Sequence, residues 1–227
     1  MTALESVSFA IVGTGGAGAI TAGSILLEAA GRSGWYGLLN RSVGPQIRGG
    51  EAAALVRLAT SPAECMSKEF DILVAVDWKN ADRFIGDMPV AKGGIVVADP
   101  ASGAVPDVVN AMGVAIETCA LKDKAKDIPG GRENMIAVGV VAGLIGLSLE
   151  SLMDVVTDKL AKKGAAVVAS GRACILAGMT QAADYSQSYN LQPAKPHKDK
   201  RWLITGNEAV GMGAVRGGVR FAAAYPI

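Results

Sequence analysis

The run Gly13-Thr14-Gly15-Gly16-Ala17-Gly18 separates a short apolar stretch, residues 8–12 (SFAIV), from an Ala- and Leu-rich stretch, residues 20–30. The first stretch has no helical period and stops on glycine, which predicts a strand buried on both faces. The second has helical composition and is closed by Gly31, a common helix stop. With residues 35–39 as another strand, the pieces form a β-Gly loop-α-β unit of about 30 residues. Glycine at such a turn lets the backbone bend sharply and come close to a phosphate, whose charge the helix amides then meet.

The rest of the chain extends this pattern. Residues 52–58, 71–76 (DILVAV) and 94–98 (GIVVA) read as further strands, with an amphipathic stretch at 79–85 between the last two. Apolar strands alternating with helices predict an α/β fold: a Rossmann-like, mostly parallel sheet with helices on both faces. From Asn134 onward the pattern turns helical, over residues 134–147, 149–163 and 169–185, with Lys159, Lys162 and Lys163 placed to complement a helix C-terminus. Residues 186–201 are polar and carry Pro and Lys, as linkers do. Residues 202–227 then begin a new Gly-punctuated, helix-like unit that is too small to bury a core of its own. The expected organisation is a domain at 1–185, a linker at 186–201, and the truncated start of a second domain at 202–227.

With 22 basic and 21 acidic residues and a formal net charge of +1, the chain has no general attraction for nucleic acid or an anionic membrane surface. Cys65, Cys119 and Cys174 are odd in number and far apart, which argues against disulfides and against CxxC-type metal or cluster ligation. A reducing, cytoplasmic setting is the expectation. The single histidine, His197, lies in a Pro/Lys-rich run that reads as a solvated loop, so a histidine metal site or a Ser-His-Asp triad has little to build on. The N-terminus lacks the basic region of a signal peptide. The longest apolar stretch, residues 135–149, falls short of the ~18 uninterrupted apolar residues of a membrane span.

A dinucleotide site needs an acidic residue after the second strand to hold a ribose diol. Here that place reads Asn40-Arg41-Ser42, and an arginine suits a phosphate better, which argues against ordinary NAD binding. The next run, Val43-Gly44-Pro45-Gln46-Ile47-Arg48-Gly49-Gly50-Glu51, brings a second arginine. Arg41 and Arg48 would flank the Gly loop if both connections leave the carboxyl ends of neighbouring strands. The outline is an anion site drawn from Gly13, Gly15, Gly16, Gly18, Arg41, Arg48, Gly49 and Gly50. Two other readings stay open: the glycines pack helix against strand with no ligand, or the arginines form surface or subunit ion pairs.

These residues resemble the gamma module of 2-oxoacid:ferredoxin oxidoreductases, in the version fused ahead of the alpha module. The likeness rests on the Gly13 to Gly18 loop, on Ser42 to Glu51, similar to the family's S-x-G-P-x-x-R-G-G-x pattern, and on Asn134-Met135 leading an apolar, Gly-containing helix. The last 22 residues, GNEAVGMGAVRGGVRFAAAYPI, resemble the opening of the alpha module, which in the family continues past Tyr-Pro-Ile with Thr-Pro. Ser170 departs from the pattern, since many relatives carry asparagine there.

The resemblance implies oxidative decarboxylation of a 2-oxoacid on thiamine diphosphate, transfer of the acyl group to coenzyme A, and electron flow through an iron-sulfur cluster to ferredoxin. Members with this gamma-alpha order are often 2-oxoglutarate enzymes, and pyruvate and branched-chain forms share the layout. It further implies that this chain is non-catalytic and holds no metal, that thiamine diphosphate and the cluster belong to the full complex, and that it helps hold coenzyme A. Its partners would be the remainder of the alpha subunit, a beta subunit and ferredoxin, in an oligomer. The rivals are a freestanding NAD(P)-dependent Rossmann oxidoreductase with Arg41 reading a 2′-phosphate, and a purely structural interaction domain.

Overall fold

A computed structural model describes residues 3–44, 50–79, 81–194 and 201–225. They fall into two units, Met1–Pro196 and His197–Ile227.

The first unit is built on a six-stranded sheet in the order β2-β3-β1-β4-β5-β6. Its strands are β1 (Ser6–Thr14), β2 (Tyr36–Val43), β3 (Glu51–Ala59), β4 (Phe70–Ala75), β5 (Val90–Ala98) and β6 (Ala115–Thr118). β1, β4, β5 and β6 pair in parallel, and β3 runs antiparallel to both β1 and β2. The sheet is therefore α/β and mostly parallel, with one reversed strand wedged between β1 and β2. A short connection between two strands returns the chain antiparallel to itself, whereas a parallel neighbour needs a long crossover. β2 also runs further than residues 35–39, so Arg41 lies inside a strand and not in the turn after it. β6 (AIET) has no apolar run to mark it in the sequence.

Alternate residues of each strand feed two cores. On one face Phe9, Ile11, Leu58 and Ile72 pack with Ile25 and Leu26 of α1 (Ala19–Arg32) and with Ile136 and Leu144 further on. Each such side chain taken out of water contributes roughly 1.5–3 kcal/mol. The opposite face is covered more thinly, by Trp78, Ile85, Met88 and Val109 over Val12, Leu73 and Val96. The expected amphipathic helix at 79–85 is instead a pair of 3₁₀ turns, Ala81–Arg83 and Ile85–Asp87, followed later by the single-turn α2 (Asp107–Asn110).

After α3 (Leu121–Lys126) come α4 (Glu133–Ile145), α5 (Leu149–Leu160) and α6 (Ala165–Ala183). α4 is buried almost all round, which is why its sequence shows no amphipathic period. α6 is 19 residues long with a mean hydropathy of 1.2, enough by length and composition to cross a membrane. It is however a core helix on one side: Ser170, Gly171, Cys174, Ile175, Gly178 and Ala182 are buried, while Arg172 and Leu176 face out. The α4–α6 contact is close because both helices lack side chains at the crossing. A Cβ built on Gly139 would overlap the Ile175 carbonyl oxygen, and one on Gly178 would overlap that of Ile136.

Residues 186–194, expected to open a linker, form a strap on the first unit. Leu4 N donates to Asn190 O at 2.8 Å, Gln192 N to Leu4 O at 2.8 Å and Tyr189 N to Leu144 O at 2.7 Å, and Tyr189 and Leu191 are buried. The polar spelling hid two apolar anchors spaced two residues apart. In the second unit, α7 (Gly206–Arg216) starts with a capping box between Thr205 and Glu208 and buries none of its residues. Trp202, Val210, Phe221 and Tyr225 are exposed there.

Candidate functional site

Beyond β1 the chain turns into α1 through the Gly loop, and most of the loop's amides are already engaged. Thr14 N and Oγ1 donate to Asp77 Oδ2 at 3.0 and 2.9 Å. Gly15 N donates to Gly50 O at 2.6 Å, and Ala17 N to Thr14 O at 2.9 Å. That leaves the amides of Gly16 and Gly18, with those of the first turn of α1, without an acceptor among the described residues. Gly16 has φ 103° and Gly18 φ 89°, left-handed conformations that favour glycine. Nothing lies within 4 Å of a Cβ built on Gly16, so this side of the loop is open. Gly18 is covered by Asn134, whose Nδ2 donates to Gly18 O at 3.3 Å and whose amide a Cβ on Gly18 would overlap.

Two clefts meet at this point. One, of about 260 Å³, runs between α1 and the α5–α6 connection, over Ile25, Met135, Leu160 and Val167, with Lys163 and Ser170 on its wall. The other, of about 360 Å³ and more open, runs toward α3, past Lys122, Lys126 and Glu133. Gly16, Ala17, Arg132 and Asn134 line both. Arg132 is the residue before α4 and forms no ion pair among the described residues. The N-termini of α1 and α4 thus converge on the shared point beside an arginine, an arrangement that attracts an anion.

The surroundings are not uniformly basic. Asp99 is 1% exposed and accepts from Ala101 N and Lys122 N at 2.8 Å each, a structural staple at the end of β5. Burial, with help from Asp99 and Asp77, raises the Glu133 carboxyl above its ordinary range, against the pull of Lys122. Among the described residues no group of three or more His, Cys, Asp or Glu is placed to hold a metal ion.

Of the residues singled out in the sequence, Gly13, Gly15, Gly16 and Gly18 are together in the loop, but with different duties. The Gly15 amide is not available to a ligand, because Gly50 holds it; Gly50 is buried and ties the base of the β2–β3 connection to the loop. Arg41 is exposed on edge strand β2, in register with Ala54, two strands away from β1, and lines neither cleft. Arg48 and Gly49 lie outside the described residues, as does His197. The sequence reading missed Arg132, Lys163 and the part played by Asn134. A signal for the first was present in Gly130-Gly131-Arg132, a second Gly-Gly-Arg cluster just ahead of an apolar helix. Gly130 has φ 71°, and a Cβ on Gly131 would overlap the Ala125 carbonyl.

Residues 8–181 match the family model described as pyruvate ferredoxin/flavodoxin oxidoreductase. The chain is 27% identical over 153 residues to ketoisovalerate oxidoreductase subunit VorA of Methanothermobacter marburgensis, a match covering 67% of this chain and 32% of that one. A solved structure of 2-oxoglutarate:ferredoxin oxidoreductase from Magnetococcus marinus, with 2-oxoglutarate, coenzyme A and succinyl-CoA bound, superposes with a TM-score of 0.84 at 28% identity, over 99% of this chain and 39% of that one. The gamma subunit of a keto/oxoacid ferredoxin oxidoreductase from Geobacter sulfurreducens superposes with a TM-score of 0.63 at 26% identity, over 79% of this chain and 98% of the subunit. The chain thus spans about a third of the VorA relative and nearly the whole length of the separate gamma subunit.

Proposed function

We propose, from the premise that this chain belongs to the pyruvate ferredoxin/flavodoxin oxidoreductase family, that it is the gamma-type module of a 2-oxoacid:ferredoxin oxidoreductase. Such an enzyme decarboxylates a 2-oxoacid oxidatively, passes the acyl group to coenzyme A and reduces ferredoxin. The module itself is non-catalytic: it holds coenzyme A and joins the other subunits in a cytoplasmic oligomer. The superposition on the 2-oxoglutarate enzyme favours 2-oxoglutarate as the acid. Thiamine diphosphate and the iron-sulfur cluster belong to the rest of the complex, and residues 202–227 to the alpha module.

The observation that carries the coenzyme reading is the meeting of two clefts at Gly16, Ala17, Arg132 and Asn134. A coenzyme A tail brings a pyrophosphate, which needs close-approaching amides and a bidentate cation. The Gly16 and Gly18 amides with Arg132 supply both, and Arg48, matched through the family pattern, is a further candidate. NAD is disfavoured because the antiparallel β3 lies between β1 and β2, so the end of β2 is not beside the Gly loop to hold its ribose.

Calorimetry with coenzyme A and NAD tests this. Coenzyme A is expected to bind tighter, and the chain alone is expected to reduce no methyl viologen with 2-oxoglutarate, pyruvate, thiamine diphosphate and coenzyme A present. Tighter binding of NAD would overturn the coenzyme assignment, and turnover by the chain alone would overturn the non-catalytic one.

A further inference from the structure

Arg41, which lines neither cleft, lies on β2, one of the two strands that end the sheet. The two edges are not alike. β6, at one end, is four residues long, and a carbonyl on its outer side is already engaged, since Tyr185 Oη donates to Thr118 O at 3.2 Å. β2, at the other end, is eight residues long and pairs with β3 in unbroken register from Tyr36 to Val43. Its sequence, YGLLNRSV, has no proline and no lysine, and Arg41 is its only charge. Proteins ordinarily blunt an edge with short strands, prolines, bulges or lysines, because its unpaired N–H and C=O groups are a template for another strand.

The direction of each β2 backbone group follows from one bond. Gly44 N donates to Glu51 O at 2.9 Å, so Gly44 and Glu51 form a hydrogen-bonded pair of the antiparallel ladder. Such pairs recur at every second residue. Ser42, Asn40 and Leu38 therefore turn their backbone groups toward β3, and Gly37, Leu39, Arg41 and Val43 turn theirs outward. None of those four makes a hydrogen bond on the outer side among the described residues. An antiparallel copy of the same strand, related by a two-fold axis at Asn40, meets this pattern: Gly37 falls opposite Val43 and Leu39 opposite Arg41, so every outward group finds a partner. Arg41 then stands across from an apolar residue and not from its own copy. Val43, 67% exposed, comes over a glycine, and the two Asn40 amides, each both donor and acceptor, meet at the axis. This self-matching register singles out a second copy among the strands that can pair with an open edge.

We propose that β2 is a self-association edge: two copies of this chain join their sheets into one through antiparallel β2 strands, with the two-fold axis at Asn40. Arg41 is then an interface residue and not an anion ligand. This rests on the reading that the module works in an oligomer, and it is independent of the coenzyme site.

Sedimentation equilibrium of the full chain tests it, with circular dichroism to check that each variant folds. Wild type is expected to be a dimer. Arg41→Pro removes an outward N–H from each copy while the β2–β3 ladder loses none, and is expected to weaken the dimer roughly 10- to 100-fold. Asn40→Lys and Asn40→Asp each set like charges at the axis, and each alone is expected to weaken the dimer roughly 2- to 5-fold. Mixed, these two variants are expected to pair with one another, a result that the Asn40 register alone produces. A wild type that stays monomeric, including one that pairs through β2 only with a strand of a different chain, overturns the inference together with self-association. A dimer that all three substitutions leave intact, or a mixture of the Asn40 variants that pairs no better than either alone, overturns the inference and leaves the oligomer reading standing, since the copies then meet on another surface or in another register.

Discussion

Gly16 and Gly139 come from runs that look alike on paper, each a glycine in small and apolar company at a helix, yet they serve opposite ends. Around Gly16 a Cβ would meet nothing within 4 Å, and the residue keeps a left-handed φ of 103°. Around Gly139 the same Cβ would overlap the Ile175 carbonyl oxygen of α6, with an ordinary helical backbone. The first glycine leaves open space at the junction of the two clefts. The second lets two helices of the chain itself approach closely. The comparison teaches that a glycine is read by what a methyl group would strike and by its φ, and neither is written in the residue's immediate sequence.

Substitutions at five positions should break or sharpen this contrast. Gly139→Ala is expected to have the largest effect on the fold. Forcing α4 and α6 apart costs about 2–3 kcal/mol net, even though alanine in a helix interior gains ~1 kcal/mol over glycine. Denaturant unfolding measures it, and an unchanged midpoint would mean that the close crossing is not maintained in solution. Gly18→Ala comes next, at about 1–2 kcal/mol, because its φ of 89° is unfavourable for alanine and the Asn134 side chain must move. Unlike Gly139→Ala, it should also weaken coenzyme A binding, since the amide displaced is one that the proposed site offers to the pyrophosphate.

Gly16→Ala isolates the backbone term, with φ 103° and open space around it, so about 1 kcal/mol of stability is expected to go. Arg132→Ala should leave stability within ~0.5 kcal/mol and weaken coenzyme A binding by about 1.5–3 kcal/mol, as for a charged hydrogen-bond partner removed. An Arg132→Ala protein that binds coenzyme A like wild type would move the anion site away from the cleft junction. Smallest of all, Glu133→Gln removes a carboxylate whose burial and acidic neighbours already disfavour its charge. It should tighten coenzyme A binding by about 0.3–1 kcal/mol at low salt and less as salt screens the charge.

The strand–Gly loop–helix start, the parallel run of β4 and β5 and the three long helices were legible because each repeats a period or a composition along a dozen residues. The reversed β3 was not, since an apolar strand carries no mark of its direction. The strap at residues 186–194 was hidden for a related reason: Tyr189 and Leu191 are two apolar residues in a polar stretch, and their burial depends on Leu144 and Leu4, far away in the chain. In the candidate site, the glycines were found and the cations largely were not. Arg41 was favoured by its place in the chain, but the intervening β3 puts it two strands from the loop, and Arg132 reaches the loop from a helix more than a hundred residues later.

By itself, then, the sequence determined the local elements, the class of the fold and the resemblance that led to the family, because backbone preferences and apolar periodicity act between neighbours. The tertiary structure decided which amides of the Gly loop are left for a ligand, which cations stand beside them and which glycines are contacts instead of openings. Each of those depends on how residues distant in the chain close on one another. Hydrogen bonding, burial and steric overlap act over a few ångströms of space, whatever the separation along the chain.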